Sequence, residues 1–311
     1  MKCLLCASQN TFVKGSYRRR DLARLWDFMD ISGELILEKI EVHQCKNCSL
    51  IFFDPRLAGQ DKFYSELGKF EWYYMHDGKS EYDYVQKFIK QGHKILDIGA
   101  GRGVLYTRIT EKVDYTGLEL STKAVELAKA SGINVQKEDL AKHAQTNKGT
   151  YDMVCLFQVL EHLTELDDFL KNVNLTLKKN GLFVIAVPDN DGFISYSSNY
   201  VFNLPPHHTI LWTESSLRFL AKKFNFKVVE IEREQMQAVH FEVASQSYLV
   251  AKLSKLFFVS NRLIDNRRSY KLVLKIAGKL YSMTFFKKLF LPRIRKKLQK
   301  GQSIIITLEK I

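Results

Sequence analysis

The sequence predicts an α/β protein, with strands and helices alternating to build a doubly wound parallel sheet. Three observations carry that expectation. Short apolar strands alternate with helix-like segments from residue 94 onward, a glycine-rich turn directly follows the first of these strands, and two cysteine knuckles precede them all. Lys94-Ile-Leu-Asp-Ile98 is the first strand, residues 114–119 the second and residues 134–137 a weak third. Residues 152–157 and 182–187 are the strongest, and 226–232 with 303–308 complete a set of seven. Helical segments near 103–111, 121–131 and 165–179 would cover both faces of such a sheet. The expected organisation is a cysteine module over 1–57, an aromatic connector and helix over 58–93, and a main domain over 94–311. A basic helical insertion at about 233–302 precedes the last strand.

Within the first module, residues 35–45 read as a hairpin feeding the second knuckle. In the connector, Phe63-Tyr64 and Phe70-Glu-Trp-Tyr-Tyr74 either line a substrate mouth or pack the small module onto the main domain. A helix is expected from about Glu81 to Lys90.

At 311 residues, with 46% apolar and 26% charged positions, the chain has ordinary globular composition. Disordered, collagenous and coiled-coil classes are thereby excluded. Met1-Lys2 runs into Cys3 with no apolar core of a signal peptide, and no uncharged apolar run reaches the ~18 residues a bilayer span needs. The expected location is the cytoplasm. The net charge of +13 is local: 15 Lys/Arg and one acid between Lys252 and Lys300 give +14, leaving −1 for the rest. Whole-chain affinity for nucleic acid is therefore not expected.

Four of the five cysteines pair as Cys3-x-x-Cys6 and Cys45-Lys-Asn-Cys48. In a reducing compartment two matched knuckles read as a structural Zn²⁺ site before a disulfide, because four thiolates close a tetrahedral site. Cys155, in an apolar run, reads as a core residue.

The stretch Ile95-Leu-Asp-Ile-Gly-Ala-Gly-Arg-Gly-Val104 puts Gly99, Gly101 and Gly103 at a strand-to-helix turn, where a ligand can approach the backbone closely. The spacing is not that of a dinucleotide site, and Asp97 would repel a pyrophosphate. A carboxylate there suits a ligand with an ammonium group or hydrogen-bond donors. Glu119, at the end of the second strand, stands where a carboxylate takes ribose hydroxyls.

This pattern, with Asp139 in Gln136-Lys-Glu-Asp-Leu140 and the run Tyr151-Asp-Met-Val-Cys-Leu-Phe-Gln-Val-Leu-Glu-His-Leu163, resembles the class I S-adenosylmethionine-dependent methyltransferases. The resemblance spans roughly residues 90 to 232 and implies a seven-stranded Rossmann-like sheet. It implies that Gly99, Gly101 and Gly103 cradle S-adenosyl-L-methionine and that Asp97 holds its amino-acid end. Glu119 would bind the ribose, Asp139 would approach the adenine amine, and Gln158 would touch the methionine portion. A strand-end Asp such as Asp139 also often simply caps a helix. The V-L-E-H ending is similar to ubiquinone-biosynthesis-like and sugar-modifying branches. The run Cys45-Lys-Asn-Cys-Ser-Leu-Ile-Phe-Phe-Asp-Pro55 resembles the zinc module that precedes the methyltransferase domain in deoxysugar C-methyltransferases and related surface-glycan enzymes.

Methyl transfer to oxygen, or to an acidified carbon, needs a base. The candidates are His162, after the fourth strand, and His207 with His208 in Leu204-Pro-Pro-His-His-Thr-Ile-Leu-Trp212; each has an alternative role in pinning a helix or packing a loop. Lys271, Lys275 and Lys279 step along one face of an amphipathic basic helix within 252–300. Two readings of this segment stand: attachment to the anionic inner face of a membrane, or a helical lid with solvated lysines. The expected acceptor is a sugar or glycan precursor, free or lipid-linked, with a quinone-like lipid as the alternative and a non-catalytic cofactor-binding module as the third reading. Nucleic acid is the least expected partner.

Overall fold

The computed structural model describes residues 1–30, 38–70, 79–260 and 262–311. The start of the expected hairpin (residues 35–37) and Glu71, Trp72, Tyr73 and Tyr74 of the aromatic stretch lie outside the described residues. Two sheets organise the chain. The smaller one is antiparallel, in the order β1 (Thr11–Arg18), β2 (Lys39–Cys45), β3 (Ile51–Asp54), β9 (Ile210–Leu211). Its fourth strand is supplied by the main domain, which stitches the cysteine module onto it.

The larger sheet has seven strands. β4 (Lys94–Ile98) lies at its centre, flanked in parallel by β5 (Asp114–Leu118) and β7 (Tyr151–Phe157). β6 (Val135–Gln136) extends one side; β8 (Leu177–Pro188) extends the other. β11 (Lys300–Lys310) then inserts antiparallel between β8 and β10 (Phe226–Gln235), giving the order β10-β11-β8-β7-β4-β5-β6. All seven expected strands are present. β8 starts five residues before its apolar run, because Leu177 already pairs with Tyr151. The helix expected over 165–179 therefore ends at Thr176.

Strand alternation sorts the core into two layers. Leu96, Ile98, Val154, Leu156, Phe183 and Ile185 face one side, toward α7 (Asp167–Thr176) and α8 (Glu214–Lys223), through Leu170, Val173, Leu217 and Leu220. Ile95, Met153, Cys155, Val184 and Ala186 face the other, where Leu105, Val125 and Ala128 come from α4 (Val104–Arg108) and α5 (Thr122–Ala130). This two-sided burial is why the central strands read as nearly unbroken apolar runs. Cys3, Leu5, Cys45, Cys48, Leu50 and Phe52 belong to the first of these layers, so the cysteine module shares a core with the main domain.

Three helices fill the segment between β10 and β11: α9 (Ala238–Leu256), α10 (Arg268–Ser282) and α11 (Thr284–Arg295). The face of α10 formed by Tyr270, Val273, Ala277 and Tyr281 packs on Leu249 and Val250 of α9, while Lys271, Lys275 and Lys279 are exposed. At the root of this insertion, Arg233 Nε donates to the fully buried Asp189 carboxylate at 2.8 Å and the guanidinium also reaches Glu214. Arg233→Ala leaves Asp189 buried beside no cation. Because Arg233 is itself partly exposed, the expected loss is about 2 kcal/mol, below the full value for a buried pair, and urea denaturation would measure it.

Candidate active site

The strand order reverses between β4 and β7, which makes this the switch point of the sheet, and ligands of this architecture sit at the strand C-termini there. Asp97 ends β4 almost wholly buried, accepting a hydrogen bond from the Tyr115 hydroxyl at 2.7 Å. Desolvation pushes its carboxyl up to about 6, against the opposing effect of Tyr115. Tyr115 reaches it because Gly117 lies between them on β5: a Cβ at 117 would sit 3.3 Å from the Tyr115 oxygen and 2.8 Å from Ala100 Cβ.

Past Asp97 the chain makes its glycine turn. Gly99 takes φ +75°, and a Cβ there would come within 2.5 Å of Val159, so this glycine is required by the protein's own packing. Gly103, also at positive φ, is the N-cap of α4 and faces Ile133. Gly101 differs. It has φ +56°, and a Cβ on it would meet nothing within 4 Å, so its open side faces room for a ligand.

Glu119 lies across the same turn. Its Oε2 accepts from Gly101 N at 3.0 Å, and its Oε1 from Leu120 N and Ser121 N at 2.8 Å each. Asp139 is exposed and caps α6 (Leu140–Thr146), its Oδ1 accepting from Lys142 N at 2.9 Å. Gln158, at φ +58° just past β7, donates to Glu81 Oε1 and Ser303 Oγ, both at 3.2 Å.

The three candidate histidines, far apart in sequence, come together. Their ring centroids are 4.3 to 4.9 Å apart. His162 sits in the turn after β7, and His207 and His208 are held in the loop before β9. α2 (Asp61–Leu67) closes the cluster from the module side: the Tyr64 hydroxyl lies 3.2 Å from His162 Nδ1, and Phe63 packs near His207. The connector thus both packs the module and borders the site. Burial lowers His162 to about 4 and His207 to about 3 and pushes His208 well down too, so all three are neutral at pH 7. The adjoining Glu161 is buried and its carboxyl is pushed up to about 8 by desolvation. Tyr64 was among the aromatics expected to line a substrate mouth or pack the module, whereas Glu81, Tyr115 and Ser303 were not singled out as site residues from sequence. The one local signal was the Tyr-Thr-Gly of β5; the others come from elements whose placement only the fold sets.

At the N-terminus, Cys3 Sγ lies 3.5 Å from Cys48 Sγ and Cys6 Sγ lies 3.4 Å from Cys45 Sγ. All four are free thiols within 4.8 Å of one another. A tetrahedral Zn²⁺ at the usual Zn–S length needs about 3.8 Å between sulfurs, within this spread. Both knuckles turn alike. Ala7 and Ser49 take left-handed φ values of 59° and 63°, and each donates its N–H back to the first cysteine's carbonyl at 3.0 Å.

A doubly wound sheet with an acid-led glycine turn and a second-strand carboxylate defines an S-adenosylmethionine-dependent methyltransferase. The chain belongs to the methyltransferase-domain family, whose sequence model matches residues 73–231, half of its length. Similar proteins include a ubiquinone biosynthesis O-methyltransferase of Pelagibacter ubique (strain HTCC1062), 23% identical over 180 residues, which are 54% of this chain and 73% of that protein. N-methyltransferase 4 of Papaver somniferum is 31% identical over 117 residues, 34% of this chain and 33% of its own length. The ubiquinone biosynthesis O-methyltransferase of Pectobacterium carotovorum subsp. carotovorum (strain PC1) is 31% identical over 97 residues, 29% of this chain. The chain spans 41% of that relative's length. The solved structure of a SAM dependent methyltransferase from Archaeoglobus fulgidus aligns with 74% of this chain and 93% of its own, at 19% identity and a TM-score of 0.47.

Proposed function

We propose that this protein transfers a methyl group from S-adenosylmethionine to a hydroxyl of a sugar in a glycan precursor. The observation that carries the acceptor class is the density of hydrogen-bonding side chains beyond the glycine turn. Gln158 bonds Glu81 and Ser303, and Tyr64 bonds His162, each at 3.2 Å, two polar groups suited to a polyhydroxyl ligand. The resemblance of the cysteine module to that of sugar methyltransferases points the same way.

The cofactor supplies a methyl already activated on a sulfonium, so the protein's task is alignment and exclusion of water. Gly101 gives the cofactor backbone access, and ionised Asp97 attracts its ammonium. The Glu119 carboxylate, fixed by three backbone amides, offers its remaining lone pairs to the ribose hydroxyls. Gln158 would meet the methionine portion. Asp139 is engaged as a helix cap through Oδ1, which leaves Oδ2 for an adenine amine. The four cysteines would hold a structural Zn²⁺, consistent with their spacing and matched turns.

The lipid-linked form of the acceptor is favoured by the basic insertion. Although one face of α10 is packed, apolar side chains protrude on either side of it, with Phe258 after α9 96% exposed and Phe285 in α11 77% exposed. Such a surface suits an anionic leaflet. Among the described residues no helix is long and apolar enough to cross a membrane. Co-sedimentation with phosphatidylglycerol vesicles at low salt is expected, and Phe258→Ser with Phe285→Ser should weaken it at least tenfold. Equal sedimentation of the double variant would discard the leaflet reading.

The second reading, O-methylation of a quinone-like lipid, is favoured by relatives that carry that name. Methyl-labelled cofactor added to cell extract separates the two. Alkali-stable label on a sugar released by acid hydrolysis supports the glycan, and label in a redox-active aromatic lipid replaces it with the quinone. Absence of label in every fraction would leave a cofactor-binding module.

A further inference from the structure

We propose that His162, His207 and His208 form a second metal site, separate from the cysteine cluster, which takes a divalent transition ion and presents it to the acceptor. The three residues offer ligand nitrogens within 4.8 Å of one another, and they come from two loops that meet only in the folded chain. Nitrogens ligating one ion at 2.0–2.1 Å stand about 3.0–3.4 Å apart, so a closing of at most roughly 1.8 Å assembles the triad.

The hydrogen bonds fix which nitrogen each ring offers. His162 Nδ1 lies 2.6 Å from the His207 carbonyl oxygen, and His207 Nδ1 lies 2.8 Å from the Phe202 carbonyl oxygen. A carbonyl only accepts, so both Nδ1 atoms carry the proton. For His208 the same result follows through a relay. Asn190 Nδ2 donates to the Pro188 carbonyl, which leaves Asn190 Oδ1 to accept from Asn203 Nδ2 at 2.8 Å. Asn203 Oδ1 therefore faces His208 Nδ1 at 3.2 Å, and that nitrogen is the donor. All three imidazoles thus carry their lone pair on Nε2. Anchoring of Nδ1–H by carbonyl oxygens is the arrangement that orients metal-ligating histidines.

A second, independent feature points to a cation. Glu161 is 1% exposed, its Oε1 lies 3.9 Å from His162 Nε2, and its Oε2 has no hydrogen-bond partner among the described residues. A buried carboxyl oxygen with no hydrogen-bond partner is costly, and a bound cation would relieve that cost. Three imidazoles and one carboxylate favour Zn²⁺, Mn²⁺ or Fe²⁺ over Mg²⁺.

The chemistry of the ion rests on the methyl-transfer reading; the existence of the site does not. An acceptor hydroxyl bound to the ion has its acidity raised. Its O–H bond breaks with the proton passing to solvent water, and its oxygen lone pair forms the new C–O bond. The C–S bond of the donor breaks with its electron pair going to sulfur, releasing S-adenosylhomocysteine.

The test uses the full chain, dialysed against excess Zn²⁺ and then metal-free buffer, with bound metal counted by mass spectrometry. Two ions per chain are expected, falling to one in His162→Gln and in His208→Gln, with cofactor binding retained. Equal counts in all three proteins would overturn the site. A measurement needing no variant covers misfolding: Cu²⁺ added to zinc-loaded wild type should show imidazole-nitrogen modulations in pulsed electron paramagnetic resonance, and their absence would equally overturn it. Because neither readout involves turnover, loss of methyl transfer with two ions still bound would count against the enzymatic reading alone.

Discussion

Gly101→Val is expected to give a folded protein that no longer binds S-adenosylmethionine. The added side chain meets no protein atom within 4 Å of its Cβ, so its cost to the fold is limited to the left-handed backbone at φ +56°, about 1–2 kcal/mol. In the liganded protein the same side chain would occupy the space for the cofactor, and a loss of at least about 100-fold in affinity, some 2.7 kcal/mol, should appear in calorimetry. Unchanged affinity would mean that the open side of the turn is not the cofactor site. Asp97→Asn separates charge from shape at the same place. The folded protein holds the Asp97 carboxyl at about 6, above its ordinary 3.8, so the fold favours the protonated form. Its contribution to stability is present below pH 3.8 and is lost as pH rises through 6. Asp97→Asn should therefore be at least as stable as wild type at pH 7, by up to about 3 kcal/mol in thermal or urea unfolding. Cofactor binding runs the opposite way: it needs the ionised carboxylate, so wild-type affinity should fall about tenfold per pH unit below 6. The variant should bind weakly at every pH.

Removing the metal proposed for Cys3, Cys6, Cys45 and Cys48 should destabilise far more than the small module. Their side chains are packed in the same core layer as Leu96, Leu156 and Trp212, and β9 of the main domain completes the module's sheet. Structural zinc contributes about 10 kcal/mol or more to isolated zinc modules, comparable to the whole stability of a domain. Even half of that should lower the melting temperature by about 10 °C or more at this size. The expected result is such a drop in Cys45→Ser and in chelator-treated wild type, with well over half an equivalent of zinc lost from each. A melt that does not move would show that the cysteines pack without an ion.

Local chemistry explains what could be read directly. Lys94-Ile-Leu-Asp-Ile98 had to be a buried strand because its apolar residues face two layers, and a helix-starting glycine turn had to follow it. Asp97, Gly101 and Glu119 could be picked out as candidates because they lie within one strand–turn–strand unit. The segment Tyr270 to Tyr281 was equally legible as an amphipathic helix, yet its apolar face alone did not say whether protein or lipid would cover it. In the folded chain Leu249 and Val250 do so.

Periodic and local features were readable from the chain alone: seven strands, the glycine turn, the two cysteine knuckles and the separate basic segment. Folding brings Tyr64, His162, His207 and His208 together and lets the Tyr115 hydroxyl reach Asp97. It also lets β9 join the cysteine module to the main domain. These juxtapositions join residues up to about 160 positions apart through loops and edge strands, where no periodic pattern constrains the partner. Packing of the whole core selects them, and no local stretch encodes that choice.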